Sequence, residues 1–277
     1  MGALRLLIIS FILMRNSTML FSASAAPKAE LWHRWQAADP WGTTRVDHGP
    51  WQAFLKNYLV TDDPSGVNKI RYSYVTPQDK TLLEHYLKEL QAVRVSELKR
   101  EEQKPYWINL YNALIVKVVL DHYPVESIQD INISPGLLSR GPWGAKLLKI
   151  QGEGVSLNDI EHRILRPIWK DNRVHYALNC ASLSCPNLQP EAYTAENMEE
   201  LLERGVRDYV NHPRGVRFEK AGLVLSSIYD WYGVDFGGRT GIIQHLLRYV
   251  GGALAKELAG FQGKIRYEYD WRLNDWP

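Results

Sequence analysis

Apolar residues recur at helical spacing in two places in the first hundred residues and then change character. From Asp47 to Leu59, the residues Trp51, Phe54, Leu55, Tyr58 and Leu59 fall on one face of a helix. Ile70, Tyr72 and Tyr74 alternate as a strand would. Thr76 followed by Pro77 is a helix start, a capping residue with proline at the first helical position. Leu82, Leu83, Tyr86, Leu87 and Leu90 then supply that helix with its apolar stripe. The segment Pro105 to Tyr123 is apolar nearly all round, so the pattern predicts a buried central helix, stopped by Pro124. Its polar intruders, Asn109 and Asn112, lie three residues apart on one face.

Downstream, Gly141 to Gly154 reads as a loop and short hairpin carrying Leu147, Leu148 and Ile150. Ser156 to Asp159 is a capping box opening the helix SLNDIEHRILR. Leu157, Ile160, Ile164 and Leu165 form its buried stripe; Glu161 falls inside it and His162 at its edge. A carboxylate there needs a partner, because burying it bare is prohibitive. The candidates are His175 on one reading, and Arg163, Arg166 or Arg173 on the other. Val174 to Leu178 is predicted as a short core strand, with His175, Ala177 and Asn179 on one face and a turn near Asn179 to Cys180. Thr194 opens a helix bearing Met198, Leu201, Leu202 and Tyr209. A hairpin turns at Lys220 to Gly222, a last helix spans Ile242 to Leu258, and Ile265, Tyr267 and Tyr269 make a terminal strand.

The expected fold class is α+β: a buried central helix packed on an antiparallel sheet, with an N-terminal helical portion (26–100) and a core (101–277) forming a single domain. Residues 1–25 read as a signal peptide. Arg5 gives the basic region, Leu6 to Met14 the apolar region, and Ala23-Ser24-Ala25 the cleavage site. An apolar region nine residues long is too short to span a bilayer, which takes roughly 20. A periplasmic or secreted protein is therefore expected, without a stable membrane anchor after cleavage. Removing Arg5 and Arg15 from the 33 basic residues balances the 31 acidic ones, so no electrostatic argument points to nucleic acid.

Export changes the meaning of the cysteines. Both of the chain's cysteines lie in HYALNCASLSCP, and in an oxidising compartment Cys180 and Cys185 could pair as a disulfide as readily as leave Cys180 reactive. Three functions are open. The first is a thiol-dependent hydrolase or acyl/peptidyl transferase. Cys180 would be the nucleophile, His175 or His162 the base, Glu161 or Asp230 the orienting acid, and Asn109, Asn112, Asn179 or turn N–H groups the oxyanion donors. The second is a non-catalytic extracytoplasmic binding module for peptide or glycan with a structural disulfide. Ten Trp and fifteen Tyr against six Phe favour rings with a polar handle, and core packing competes for most of them. The third is metal binding by His162, His175, Cys180 and Cys185, whose spacing fits no standard zinc pattern. No cofactor is called for. His33, His48, His85, His122, His212 and His245 are expected on loops or solvent-side helix positions, without a role.

Five blocks in order, WINLYNAL (from Trp107), SLNDIEHRILR (from Ser156), HYALNCASLSCP (from His175), IYDWYGVDFGG (from Ile228) and YDWRLN (from Tyr269), resemble the family called domain of unknown function 547, as an exported bacterial member. The resemblance runs from about Val46 onward. It implies a papain-like or transglutaminase-like α+β architecture. The chain departs from that type: the start of its central helix carries no cysteine, and the cysteines come much later.

Overall fold

The computed structural model describes residues 26–136 and 139–277; the leader expected over 1–25 lies outside the described residues. The architecture is α+β. Among the described residues eight α-helices run as α1 (Gly49–Tyr58), α2 (Pro77–Ala92), α3 (Arg100–His122), α4 (Arg166–Trp169), α5 (Met198–Val210), α6 (Ile228–Trp231), α7 (Gly238–Tyr249) and α8 (Gly252–Ala259). Seven short strands among the same residues, β1 (Leu59–Val60), β2 (Lys69–Ile70), β3 (Leu148–Ile150), β4 (Glu153–Val155), β5 (Val216–Glu219), β6 (Gly222–Ser226) and β7 (Ile265–Glu268), form two antiparallel pairs and one three-stranded sheet. Among the described residues no helix is long and apolar enough to cross a membrane.

The central helix α3 is buried from Glu102 to Val116 without a break. It begins at Arg100, before the expected Pro105, which it carries inside the helix. It packs on α2 and on the segment Asp159–Leu165, while Trp35 and Tyr106 close edge-on around Trp107. The Thr76 cap forms as its sequence requires, its hydroxyl accepting the Asp79 N–H at 3.1 Å. The Ser156 box also closes, Asp159 accepting from the Ser156 N–H at 2.8 Å and donating its own to Ser156 Oγ at 3.2 Å.

Several expected elements fold differently. The three-stranded sheet, order β5-β6-β7, is mixed, β6 and β7 running parallel. It does not face the central helix: β5 and β6 pack with α5, α7 and α8 in a second apolar cluster around Tyr176, Tyr209 and Tyr229. Tyr72–Tyr74 is a 3₁₀ turn, not strand. The expected last helix is two, α7 and α8, broken at Val250 and Gly251, where Gly251 adopts extended backbone. Val174 to Tyr176 belongs to a 3₁₀ turn, Asn172–Tyr176, rather than a strand. The apolar run is buried on all sides, and burial alone does not tell a core strand from a core turn.

The C-terminal tail sews the parts together. Leu273 donates to Glu126 O, Asn274 to Ala181 O, and Trp276 to Ile70 O, while Leu183 and Ser184 donate to Arg272 O and Asp270 O. The loop carrying the cysteines is thereby fixed on one side by the tail and on the other by α3.

Candidate functional site

Sequence reasoning placed three amides at an oxyanion site; the structure gives all three another task. Asn109 donates to Tyr193 O at 2.7 Å and accepts the Tyr193 N–H at 3.0 Å. Asn112 donates to Ala177 O and accepts the Asn179 N–H, both at 2.9 Å. Asn179 donates to Pro186 O and accepts the Ala181 N–H, both at 2.8 Å. Each amide imitates a strand partner for backbone that has none, as a buried loop requires. Asn112 and Asn179 hold the cysteine loop in shape and Asn109 the backbone at Tyr193, with one N–H and the oxygen of each amide engaged in the task.

Cys180 and Cys185 are joined as a disulfide. Cys180 is partly exposed and Cys185 is buried. The Cys180 N–H donates to Cys185 Sγ at 2.9 Å, and the Tyr269 hydroxyl lies 3.2 Å from each sulfur. Ser182 Oγ donates to the Tyr269 oxygen at 3.1 Å. The recorded partners of the sulfurs are thus Tyr269, Ser182 and the Cys180 amide, and neither nitrogen of His175 is bonded to sulfur. The Cys180–His175 dyad expected from the sequence is not assembled. The bridge also removes both thiolates from the proposed metal set, and among the described residues no cluster of three or more His, Cys, Asp or Glu is arranged to hold a metal ion.

His175 instead sits in a buried ionic network. Its Nε2 lies 2.8 Å from Asp235 Oδ2, which can only accept, and its Nδ1 faces Glu161 Oε1 at 3.9 Å with no hydrogen-bond partner. Its ring stacks on Tyr232, centroids 4.0 Å apart. Arg166 grips Asp235 with two donors, Nε at 2.6 Å and Nη2 at 3.1 Å, and reaches His162 Nδ1 and Pro27 O through Nη1. The Tyr111 hydroxyl donates to Glu161 Oε2 at 3.3 Å. Burial opposes the charge on Asp235, but the hydrogen bonds from His175 and Arg166 outweigh it and hold the carboxyl well below the usual range. For Glu161 burial again acts upward, and the facing imidazoles of His162 and His175 bring the net shift below the ordinary value. Burial pushes His162 down, partly offset by Glu161, and pushes the Tyr111 and Tyr232 hydroxyls far up.

The expected pairing of Glu161 with His175 is therefore present as a close approach. Arg163 and Arg173, the other candidates, are taken up by Asp159 and by Asp171 with Glu199. Asp230 is exposed and outside the network; Asp235, five residues on, takes the role assigned to it. Arg166, the third arginine candidate, pairs with Asp235 rather than with Glu161, and its part as organiser of the network was missed. Its signal was available, since it lies one turn beyond His162 on the same helix face. The segment between is π-helical, Asp159–Leu165, and its His162 and Arg163 carbonyls accept from the Glu30 and Trp32 N–H groups of the N-terminal segment.

Beside the disulfide, four partly exposed rings gather. Trp231 lies 4.8 Å from Tyr269 and 5.5 Å from Trp271; Tyr269 lies 4.6 Å and Trp143 5.7 Å from Trp271. The Trp231 indole N–H is buried without a partner. A 390 Å³ cleft bordered by Arg34 and Arg94, and a 270 Å³ cleft beside Arg45 and Glu102, include none of these residues.

An α+β chain whose buried helix, π-helical turn and cysteine loop are locked together by amide clamps matches one family. Residues 95–210 match the family model described as "Protein of unknown function, DUF547". The match supports the family and not the papain-like or transglutaminase-like architecture. No curated protein and no solved structure matches the chain.

Proposed function

We propose that this protein is an extracytoplasmic binding module whose ligand is a glycan, held on the surface formed by Trp143, Trp231, Tyr269 and Trp271. The carrying observation is the ring cluster itself: three indoles and a phenol, partly exposed, within 5.7 Å of one another along the chain of contacts. Flat rings bearing a polar handle suit stacking on the C–H faces of sugars. The disulfide supports an oxidising compartment. The thiol chemistry weighed from the sequence lacks its parts, since Cys180 is bonded to Cys185 and His175 is held by Asp235.

Titration of the protein with a panel of soluble oligosaccharides and short peptides tests this. At least one oligosaccharide is expected to bind, and Trp271→Ala to weaken it roughly tenfold or more, as loss of a central aromatic contact does. Binding by peptides alone would make the ligand a peptide; no binding across the panel would remove the proposal. Thiol status supplies a separate check. An iodoacetamide-type reagent is expected to label neither cysteine of the native protein until reductant is added, and labelling without reductant would restore Cys180 as a nucleophile.

A further inference from the structure

The geometry points to a second activity: Cys180–Cys185 is an exchange-active disulfide, in which an external thiolate attacks Cys180 and Cys185 leaves.

The two sulfurs are unequal. Cys180 is the partly exposed partner and Cys185, 2% exposed, the buried one. Exchange runs through a thiolate attacking one sulfur while the other departs with the electron pair, and the departing sulfur gains from any donor already aimed at it. Cys185 Sγ has two such groups at hand, the Cys180 N–H at 2.9 Å, which it alone receives, and the Tyr269 hydroxyl at 3.2 Å, which lies as near to Cys180 Sγ. Ser182 Oγ donates to the Tyr269 oxygen at 3.1 Å, which leaves the phenolic proton free to turn toward sulfur. Burial keeps that phenol protonated.

The loop does not need the bridge for its shape. Asn112 and Asn179 clamp its start, and the tail pairs with Ala181, Leu183 and Ser184. A purely structural disulfide is expected where few other bonds cross; here the backbone is held twice over. Ala181, directly after Cys180, is held at φ 59°, a left-handed conformation that costs a residue with a side chain.

The reaction is balanced as follows. The thiolate of an external dithiol attacks Cys180 Sγ, the Cys180–Cys185 bond breaks, and Cys185 departs as a thiolate that takes up a proton from solvent. The second thiol of the reagent then attacks the mixed disulfide, leaving Cys180 reduced and the reagent oxidised. In this direction the protein's bridge passes to a reduced partner; run backward, the same steps let an oxidised partner restore the bridge.

Single-cysteine variants test the asymmetry in the folded protein. With oxidised glutathione, Cys185→Ala is expected to form a mixed disulfide at Cys180, at least tenfold faster than Cys180→Ala forms one at Cys185. Equal rates would overturn the assignment of roles. In the unmodified chain, dithiothreitol followed by alkylation is expected to trap both thiols while circular dichroism stays native; reduction that proceeds only with unfolding would mark a structural bridge and overturn the proposal, even if a variant fails to fold. Tyr269→Phe is expected to slow reduction roughly fivefold to tenfold, the net scale of one ordinary hydrogen bond. An unchanged rate would remove Tyr269 from the step and with it the stabilised leaving group.

Discussion

Replacing Arg166 with Ala is expected to destabilise the fold by about 3–5 kcal/mol, the cost of stripping one partner from a buried ion pair. The guanidinium is 6% exposed and its main partner, Asp235, is 20% exposed. Removing it leaves Asp235 with His175 alone, frees the His162 Nδ1 and Pro27 carbonyl of their donor, and weakens the field that keeps Glu161 ionised. Urea unfolding at neutral pH measures the loss. Asp235→Asn added to Arg166→Ala should recover part of it, because the uncompensated charge goes with the carboxylate, and the double-mutant cycle isolates the pair. Arg207→Ala serves as the comparison: its pair with Glu203 is exposed on α5 and should be worth only a few tenths of a kcal/mol. A loss at Arg166 no larger than that at Arg207 would mean that the network carries no fold stability.

How much of this could be read in the chain depends on whether the signal is local. The caps at Thr76 and Ser156 are read from neighbouring residues, and both form. The burial of α3 follows from composition alone. Glu161 in an apolar stripe announced a partnered charge, and the partner face was legible because only a few cations and imidazoles stood near it in sequence. The failures are of two kinds. Val174 to Leu178 reads as a strand because a short apolar run with a valine and a tyrosine suits any buried backbone; its turn is imposed by Asn112, more than sixty residues earlier, through the Ala177 carbonyl and Asn179 amide. Choosing Asp230 over Asp235 was a matter of register in a turn with no period to fix it. His48 and His245, expected at the surface, are buried at 6% and 4% exposure, because their elements turn an imidazole inward to a tyrosine.

Those two histidines set the second large effect, a loss of stability between pH 6.5 and pH 4. Burial lowers each to a pKa of about 4, against an ordinary value of 6.5. His48 Nδ1 is hydrogen-bonded to the Tyr86 hydroxyl at 2.7 Å while its Nε2 has no partner, and His245 Nε2 meets the Tyr176 hydroxyl at 2.9 Å. Above pH 6.5 both states of the chain hold neutral rings and the histidines favour neither. As pH falls through 6.5 the unfolded chain takes up protons that the folded one refuses, so folding is progressively disfavoured until about pH 4. At about 1.4 kcal/mol per pKa unit, each ring costs roughly 2–3 kcal/mol across that window. The carboxylates act in the same direction lower down. Asp235 and Glu161 are depressed in the fold, so the stability they contribute is intact above the ordinary carboxylate range and drains away below it. Urea midpoints measured from pH 7.5 to pH 4 should therefore fall on the order of 5 kcal/mol in stability, and His48→Gln, which keeps an amide facing Tyr86, should remove about half of that slope. A flat profile over the range, or a slope untouched by the substitution, would show that these rings protonate freely and are not sealed between α1, α2 and α7.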